Sequence, residues 1–301
     1  MAMKVATTQE IATGNYLRFF CYGFPGSGKT HLAGTFPAPL FITPEKIIAE
    51  LRTYGNSPLT VAYFKTIAEF IETINQVCRL VLDNKPVGNY VPQTIIVDSL
   101  TEIQNMIEHE LLMSRVESHR IGNQVAGIPV MQERDWGAMY QVLMQCRNLL
   151  YDLPVHIVWI GHAKIREITD RGPDGKITKH SIGTYNLRGD AKHFIPNSCN
   201  VLTYLEALPQ GPSKTLYCVH GKPYGIWNAR VHFPQGVEGF RRLAFDSAQS
   251  TAEDPHPSYD DLAPYFNLPL ADECEENINW EQKTKSQDKP RQHKQPKRKG
   301  K

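Results

Sequence analysis

Gly23-Phe24-Pro25-Gly26-Ser27-Gly28-Lys29-Thr30 is the stretch on which the fold turns. It fits the pattern G-x-x-x-x-G-K-[ST] at every fixed position. Glycines there let backbone N–H groups turn inward around phosphates, helped by the positive end of a following helix. Lys29 is expected to neutralise the β- and γ-phosphates and the Thr30 hydroxyl to ligate Mg²⁺, with His31 counted among the nucleotide-contacting residues. At an average glycine usage near 7%, a chance match in a chain this long is on the order of 1%. The context agrees, because Leu17-Arg18-Phe19-Phe20-Cys21-Tyr22 reads as a short strand and a helix can start at Lys29.

Outward from the loop, Leu40-Phe41-Ile42-Thr43 and Leu59-Thr60-Val61-Ala62-Tyr63-Phe64 read as two further strands. Ile67, Phe70, Ile71, Ile74 and Val77 recur at helical spacing between Thr66 and Asp83. Thr94-Ile95-Ile96-Val97-Asp98 is a buried-type strand, and helices are expected over Ser99 to Glu117 and Glu133 to Tyr151. Val155 to Ile160 is another continuous apolar run. Strands that are apolar on both faces and alternate with helices predict an α/β fold with a mostly parallel sheet flanked by helices. After Gly161 the pattern changes. A hairpin is expected from Lys164 to Ile182 around Pro173-Asp174-Gly175, and two more strands from Val201 to Tyr217, so antiparallel hairpins lie toward the C-terminal side.

The chain has 301 residues, 41% of them apolar, with 33 Lys+Arg against 31 Asp+Glu. The near balance hides a two-signed end: residues 251–280 hold eight acidic side chains and no Lys or Arg, while residues 281–301 hold nine basic and two acidic ones. This composition predicts a lead-in over 1–15, a core over 16–245 and a disordered acidic-then-basic tail over 246–301, with a short docking segment conceivable at Tyr265 to Leu270. The basic run would attract nucleic acid; equally, the acidic stretch would neutralise it. Met1 to Glu10 lacks the pattern of a signal peptide, and no run approaches a membrane span. Six scattered cysteines without CxxC pairing fit neither a disulfide framework nor a zinc site. His109 and His119 have no companion ligands for a metal. A cytoplasmic protein with no membrane partner is expected.

An Asp at the end of a buried strand is costly unless it meets a cation or donors. Asp98, about 70 residues after the loop, therefore suits the Mg²⁺ shell. With these parts in place the chain resembles RecA-like recombinase cores, in particular phage-encoded RecA-like ATPases linked to single-strand annealing, over roughly residues 16–240. Phe41-Ile42-Thr43-Pro44-Glu45 is similar to the family's strand that ends in a water-activating glutamate. Val97-Asp98-Ser99-Leu100 is similar to its Asp-Ser strand end, and Ile160-Gly161-His162 lies where it has a polar γ-phosphate sensor. Glu117 to Arg134 and Lys164 to Arg188 occupy the places of its DNA-binding loops. Gly189-Asp190-Ala191-Lys192, leading to Val201-Leu202-Thr203-Tyr204-Leu205, resembles the helix and strand that close its core. Asn228-Ala229-Arg230 resembles the basic motif that reaches a neighbouring subunit's nucleotide. The sequence departs in having His162 for an amide, one cation at Arg230 for two, and no sizeable N-terminal oligomerisation extension.

The resemblance implies a RecA-like P-loop core, ATP and Mg²⁺ as cofactors, DNA-dependent ATP hydrolysis, a homo-oligomer as ring or filament, and a single-strand-binding protein as partner. It implies catalytic roles for Lys29, Glu45, Asp98, His162 and Arg230. Glu102, one helical turn after Asp98, competes with Glu45 as the base. His162 is otherwise a satisfied structural histidine. Lys164, Arg166, Arg171, Lys176 and Lys179 form a cationic loop suited to phosphate contacts. Two other readings stay open: a phosphotransferase acting on a small molecule, and a loader ATPase acting on a protein.

Overall fold

The structure is a computed structural model that describes residues 16–45, 59–87, 91–117, 124–125, 128–171, 177–211, 214–234, 237–246 and 257–271. Six parallel strands form its centre in the order β9-β1-β7-β4-β2-β3. They are β1 (Arg18–Gly23), β2 (Pro39–Thr43), β3 (Thr60–Tyr63), β4 (Thr94–Val97), the first part of β7 (His156–Arg171) and β9 (Val201–Pro209). β10 (Thr215–His220) and then β12 (Arg242–Asp246) extend this sheet antiparallel beyond β9, and β11 (Arg230–Val231) pairs with β9 at Leu202 and Val201. Beyond His162, β7 leaves the parallel sheet and pairs instead with β8 (Ile177–Tyr185), from Ala163↔Tyr185 to Arg171↔Ile177. The expected hairpin is therefore a direct extension of a central strand.

Alternate side chains of each central strand enter two different cores, as the period of two requires. Phe20, Tyr22, Ile95, Val97, Ile157 and Trp159 pack on one face. Against them lie α2 (Ile67–Leu82), α3 (Leu100–Glu117) and α4 (Glu133–Tyr151). These three helices match their sequence-derived bounds to within a residue or so, because each buries a single apolar stripe. Phe19, Cys21, Phe41, Ile96, Val158 and Ile160 fill the other core, against Leu32 and Ala33 of α1 (Lys29–Gly34). α5 (Ala191–Ser198) precedes β9. The result is a mixed α/β fold of the P-loop type. No helix among the described residues is long and apolar enough to cross a membrane.

The tail expected over 246–301 needs one correction. Tyr259–Leu262 (α6) and the 3₁₀ turn Ala263–Phe266 are packed, with Tyr259, Leu262, Ala263 and Phe266 buried in the second core. Tyr259 N–H donates to Thr35 Oγ1 at 2.7 Å, and its ring lies 5.0 Å from that of Phe36. The docking segment thus starts six residues earlier than expected and seals the end of α1. Residues 247–256 and 272–301, which include the basic run, lie outside the described residues.

The half-buried Arg18 and the buried His156 fix the start of the sheet. The Arg18 guanidinium donates to the carbonyls of Tyr151, Leu153 and Val155 at 2.8, 2.9 and 2.6 Å, satisfying the C-terminal end of α4. His156 Nδ1 accepts the Leu17 N–H at 3.0 Å, with Tyr16, Phe36 and Tyr259 rings around it. Burial, and then the Arg18 charge, lower its pKa to about 4. An unfolded histidine titrates near 6.5, so between these values the unfolded chain binds more protons and stability is lost as pH falls. We expect His156→Gln to lose less stability than wild type between pH 6.5 and 4, by about 3 kcal/mol over that window. Denaturant melts of both proteins at each pH check this; parallel profiles would refute it.

Candidate nucleotide site

The phosphate loop follows β1 at the carboxyl edge of the sheet. Gly23 admits no side chain, since a Cβ there would sit 2.3 Å from Leu205 O and 2.4 Å from Ser27 Oγ. Gly26 and Gly28 have φ of 76° and 83°, the left-handed region that glycine tolerates. These constraints shape the turn, and Leu32 N–H closes the first helical bond onto Gly28 O at 2.9 Å. Lys29 is 6% exposed, and its Nζ donates to Phe24 O at 2.9 Å. Burial lowers its pKa, while Asp98 and Glu45 act in the opposite sense. Phe24 is exposed, Ser27 and His31 are buried, and His31 lies within α1.

Asp98 follows β4, two strands from the loop, and is also 6% exposed. Thr30 Oγ1 donates to its Oδ2 at 2.8 Å. Burial pushes its pKa up to about 6; the Thr30 hydrogen bond opposes this, the Glu45 charge adds to it, and Lys29 opposes it. A buried carboxylate beside a hydroxyl, raised in pKa by that burial, is a donor set that suits Mg²⁺, a hard cation that prefers oxygen ligands. Thr30 and Asp98 would hold such an ion, which would supply charge neutralisation for the phosphates.

His162 emerges from β7 between these two elements. Its N–H donates to Thr101 Oγ1 at 3.1 Å, and its Nε2 lies 3.3 Å from Ser99 Oγ. Burial, then Lys29, lower its pKa, while Glu102 raises it. Glu45, Glu102 and His162 converge, with one ligand atom from each within 4.8 Å of the others. The structure thus gathers both candidate bases at one place. Ser99 was legible as part of the Asp-Ser strand end; Thr101, which orients the His162 backbone, carried no sequence signal.

Other expected residues fall elsewhere. Arg230 Nη2 donates to Pro196 O at 3.2 Å within the chain, at the level of Leu202, so it is not part of the Glu45–Glu102–His162 group. Lys164, Arg166 and Lys179 are exposed on the β7–β8 ribbon. Register puts Lys164, Arg166 and His180 on one face and Lys179 on the other. The Arg171 side chain and all of Lys176 lie outside the described residues. The Glu117 to Arg134 stretch holds a small ribbon, β5 (Gln124–Val125) with β6 (Ile128–Pro129). A buried Arg115–Asp135 ion pair brackets it.

Residues 15–224 match the AAA domain family. The chain belongs to that family. Membership gives an AAA-type P-loop ATPase-like domain that binds nucleotide, typically with Mg²⁺, and it agrees with the site just described. No curated protein matches the chain.

Asp98 yields a two-sided prediction. Its folded pKa lies above the unfolded value near 3.9, so the folded state binds more protons between about pH 4 and 6. Stability is therefore lost as pH rises through that window and stays lower at pH 7. Nucleotide-free Asp98→Asn should melt higher than wild type at pH 7, yet hydrolyse ATP far more slowly. A lower melting temperature would contradict the buried, raised carboxylate.

The two carboxylates are separable by kinetics. Glu45→Gln is expected to bind ATP normally and to lose about 10²–10⁴-fold in kcat, as for a missing general base. If Glu102→Gln shows that pattern instead, the roles exchange.

Proposed function

We propose that this AAA-family chain is a phage-type, RecA-like ATPase that hydrolyses ATP in response to single-stranded DNA, in annealing or recombination, as a homo-oligomer. The observation that supports it is the course of β7. One strand carries His162 beside Glu102 and Lys29, and two residues later presents Lys164 and Arg166 on an exposed ribbon. A strand of nucleic acid on that ribbon is attached to the γ-phosphate side by a few residues of continuous backbone. Cations on both faces suit backbone phosphates more than a base-reading groove. A compact phosphotransferase has no need of a ribbon this long, which favours a polymeric ligand over a small acceptor.

In this reading Lys29 and the loop N–H groups grip the triphosphate, and Glu45 or Glu102 takes the proton of the attacking water. His162, kept neutral by burial, donates to a γ-phosphate oxygen. Arg230 reaching a neighbour's nucleotide requires its guanidinium to leave Pro196 O, a movement that subunit contact would have to drive.

ATP turnover with and without single-stranded DNA tests the proposal. The rate should rise with DNA and with protein concentration. Replacing Lys164, Arg166 and Lys179 by Gln should weaken DNA binding and flatten its log–log salt slope by about 0.7 per lost phosphate contact. A rate indifferent to DNA, with a small acceptor consuming ATP, would favour phosphotransfer instead.

A further inference from the structure

We propose that Trp227 is a positioning residue that links the β7–β8 hairpin to the phosphate loop through Phe24. Its physiological trigger rests on the proposed function, but the mechanical link does not.

The indole is fixed on three sides. It lies flat on Tyr204, with ring centroids 4.2 Å apart and planes 9° from parallel. A tight turn holds its backbone, with Trp227 N–H donating to Tyr224 O at 2.9 Å and Tyr224 N–H to Trp227 O at 3.1 Å. The next residue is tied to the end of β1, where the Tyr22 hydroxyl donates to Asn228 O at 2.5 Å. Tyr204 and Tyr22 belong to the central sheet, so the indole rests on a rigid base.

Against this base the hairpin approaches more closely than any side chain allows. Gly183 of β8 is buried, and a Cβ there would lie 2.1 Å from Trp227 Cε3. Its N–H donates to Ile226 O at 2.8 Å. A shift of β8 toward or away from the sheet therefore moves the indole or breaks this contact. On another side the indole meets Phe24 edge to face, at 5.5 Å and 88°. Phe24 is the second residue of the phosphate loop and is 42% exposed. Its carbonyl accepts both Lys29 Nζ at 2.9 Å and Ser27 N–H at 3.2 Å. The Phe24 ring thus sets a carbonyl that bears on the ammonium which the loop motif directs to the β/γ-phosphates.

Packed interiors transmit displacement because they deform little. The route is contiguous: Gly183, Trp227, Phe24, Phe24 O, Lys29. The two-state element is the ammonium, which the Phe24 carbonyl holds here and which phosphate oxygens would draw away when nucleotide binds. A contiguous path becomes a coupling only when coupling is measured.

The measurement is a double-mutant cycle on binding of a fluorescent ATP analogue to the full chain, without DNA. Phe24→Ala and Trp227→Leu should each weaken nucleotide binding by about four- to tenfold, within the span of one aromatic pair. The double variant should be no worse than the worse single one. Trp227→Phe, which keeps a ring against Phe24, should recover most of the loss. Effects that multiply to within about twofold, or a single variant with wild-type Kd, overturn the proposal. Circular dichroism checks folding; if Trp227→Leu is unfolded, the cycle is run with Trp227→Tyr and Phe24→Ala under the same criterion. A second arm adds single-stranded DNA. There Trp227→Leu should keep oligonucleotide affinity within about twofold yet lose the DNA-driven rise in kcat. If wild type itself ignores DNA, the hairpin reading fails, and the DNA-free cycle alone decides the link.

Discussion

The carboxylate of Asp98, 6% exposed and 2.8 Å from the Thr30 hydroxyl, is the constraint on which the other parts of the molecule depend. Withdrawing such a group from water costs several kcal/mol unless it is compensated. Here its pKa rises to about 6, so the compensation from Thr30 and Lys29 is incomplete. The apolar strand that leads into it bears the remainder: Ile95, Ile96 and Val97 are each fully buried. Strand order follows from the same requirement. With β7 between β1 and β4, the ends of those two strands stand about 10 Å apart, two strand spacings, and the first turn of α1 carries Thr30 across to Asp98. The intervening strand then necessarily leaves the parallel sheet between them, and it brings His162 there.

How much of this could be read from the residues depended on how many media each segment crosses. Strands buried on both faces appear as continuous apolar runs, and Ile95 to Val97 and Ile157 to Ile160 were visible as such. Helices α2 and α4 bury one stripe each and could be bounded closely. β7 is different. Its first half lies in the core and its second half in solvent, so pattern alone divides it at Gly161, although the backbone is one strand of 16 residues. The α6 segment shows another kind of loss. Tyr259, Leu262, Ala263 and Phe266 recur at i, i+3, i+4 and i+7, a helical stripe, but the surrounding acidic composition obscured four apolar residues. Arg115 and Asp135 pair across 20 residues, and no periodicity reports a contact of that kind. Arg230 shows what a single chain leaves open to resemblance: the motif directs it to a neighbour's nucleotide, and within the chain its guanidinium donates to Pro196 O.

The aromatic residues near the loop are packed, yet packing here is not inert. Tyr204, Trp227, Tyr22 and Phe24 form a continuous set of ring contacts from a central strand to the phosphate loop. A cluster like this gains stability from burial and ring geometry. It also leaves Gly183 no room to drift, so stability and transmission arise from the same contacts.

Charge closes the argument about what the site accepts. Asp98 and Glu45 act on the one ammonium, that of Lys29, Glu102 joins Glu45 beside His162, and His162 is held toward its neutral form. A bare triphosphate would meet more negative than positive charge at its γ end. The buried position of Lys29 and Asp98 makes that imbalance weigh more than it would in water, because the surrounding medium screens it less. Thr30 and Asp98 would hold a divalent cation accompanying the triphosphate, and its charge would offset both the excess of carboxylates and the cost of burying Asp98. The hairpin that continues from His162 is attached to this site.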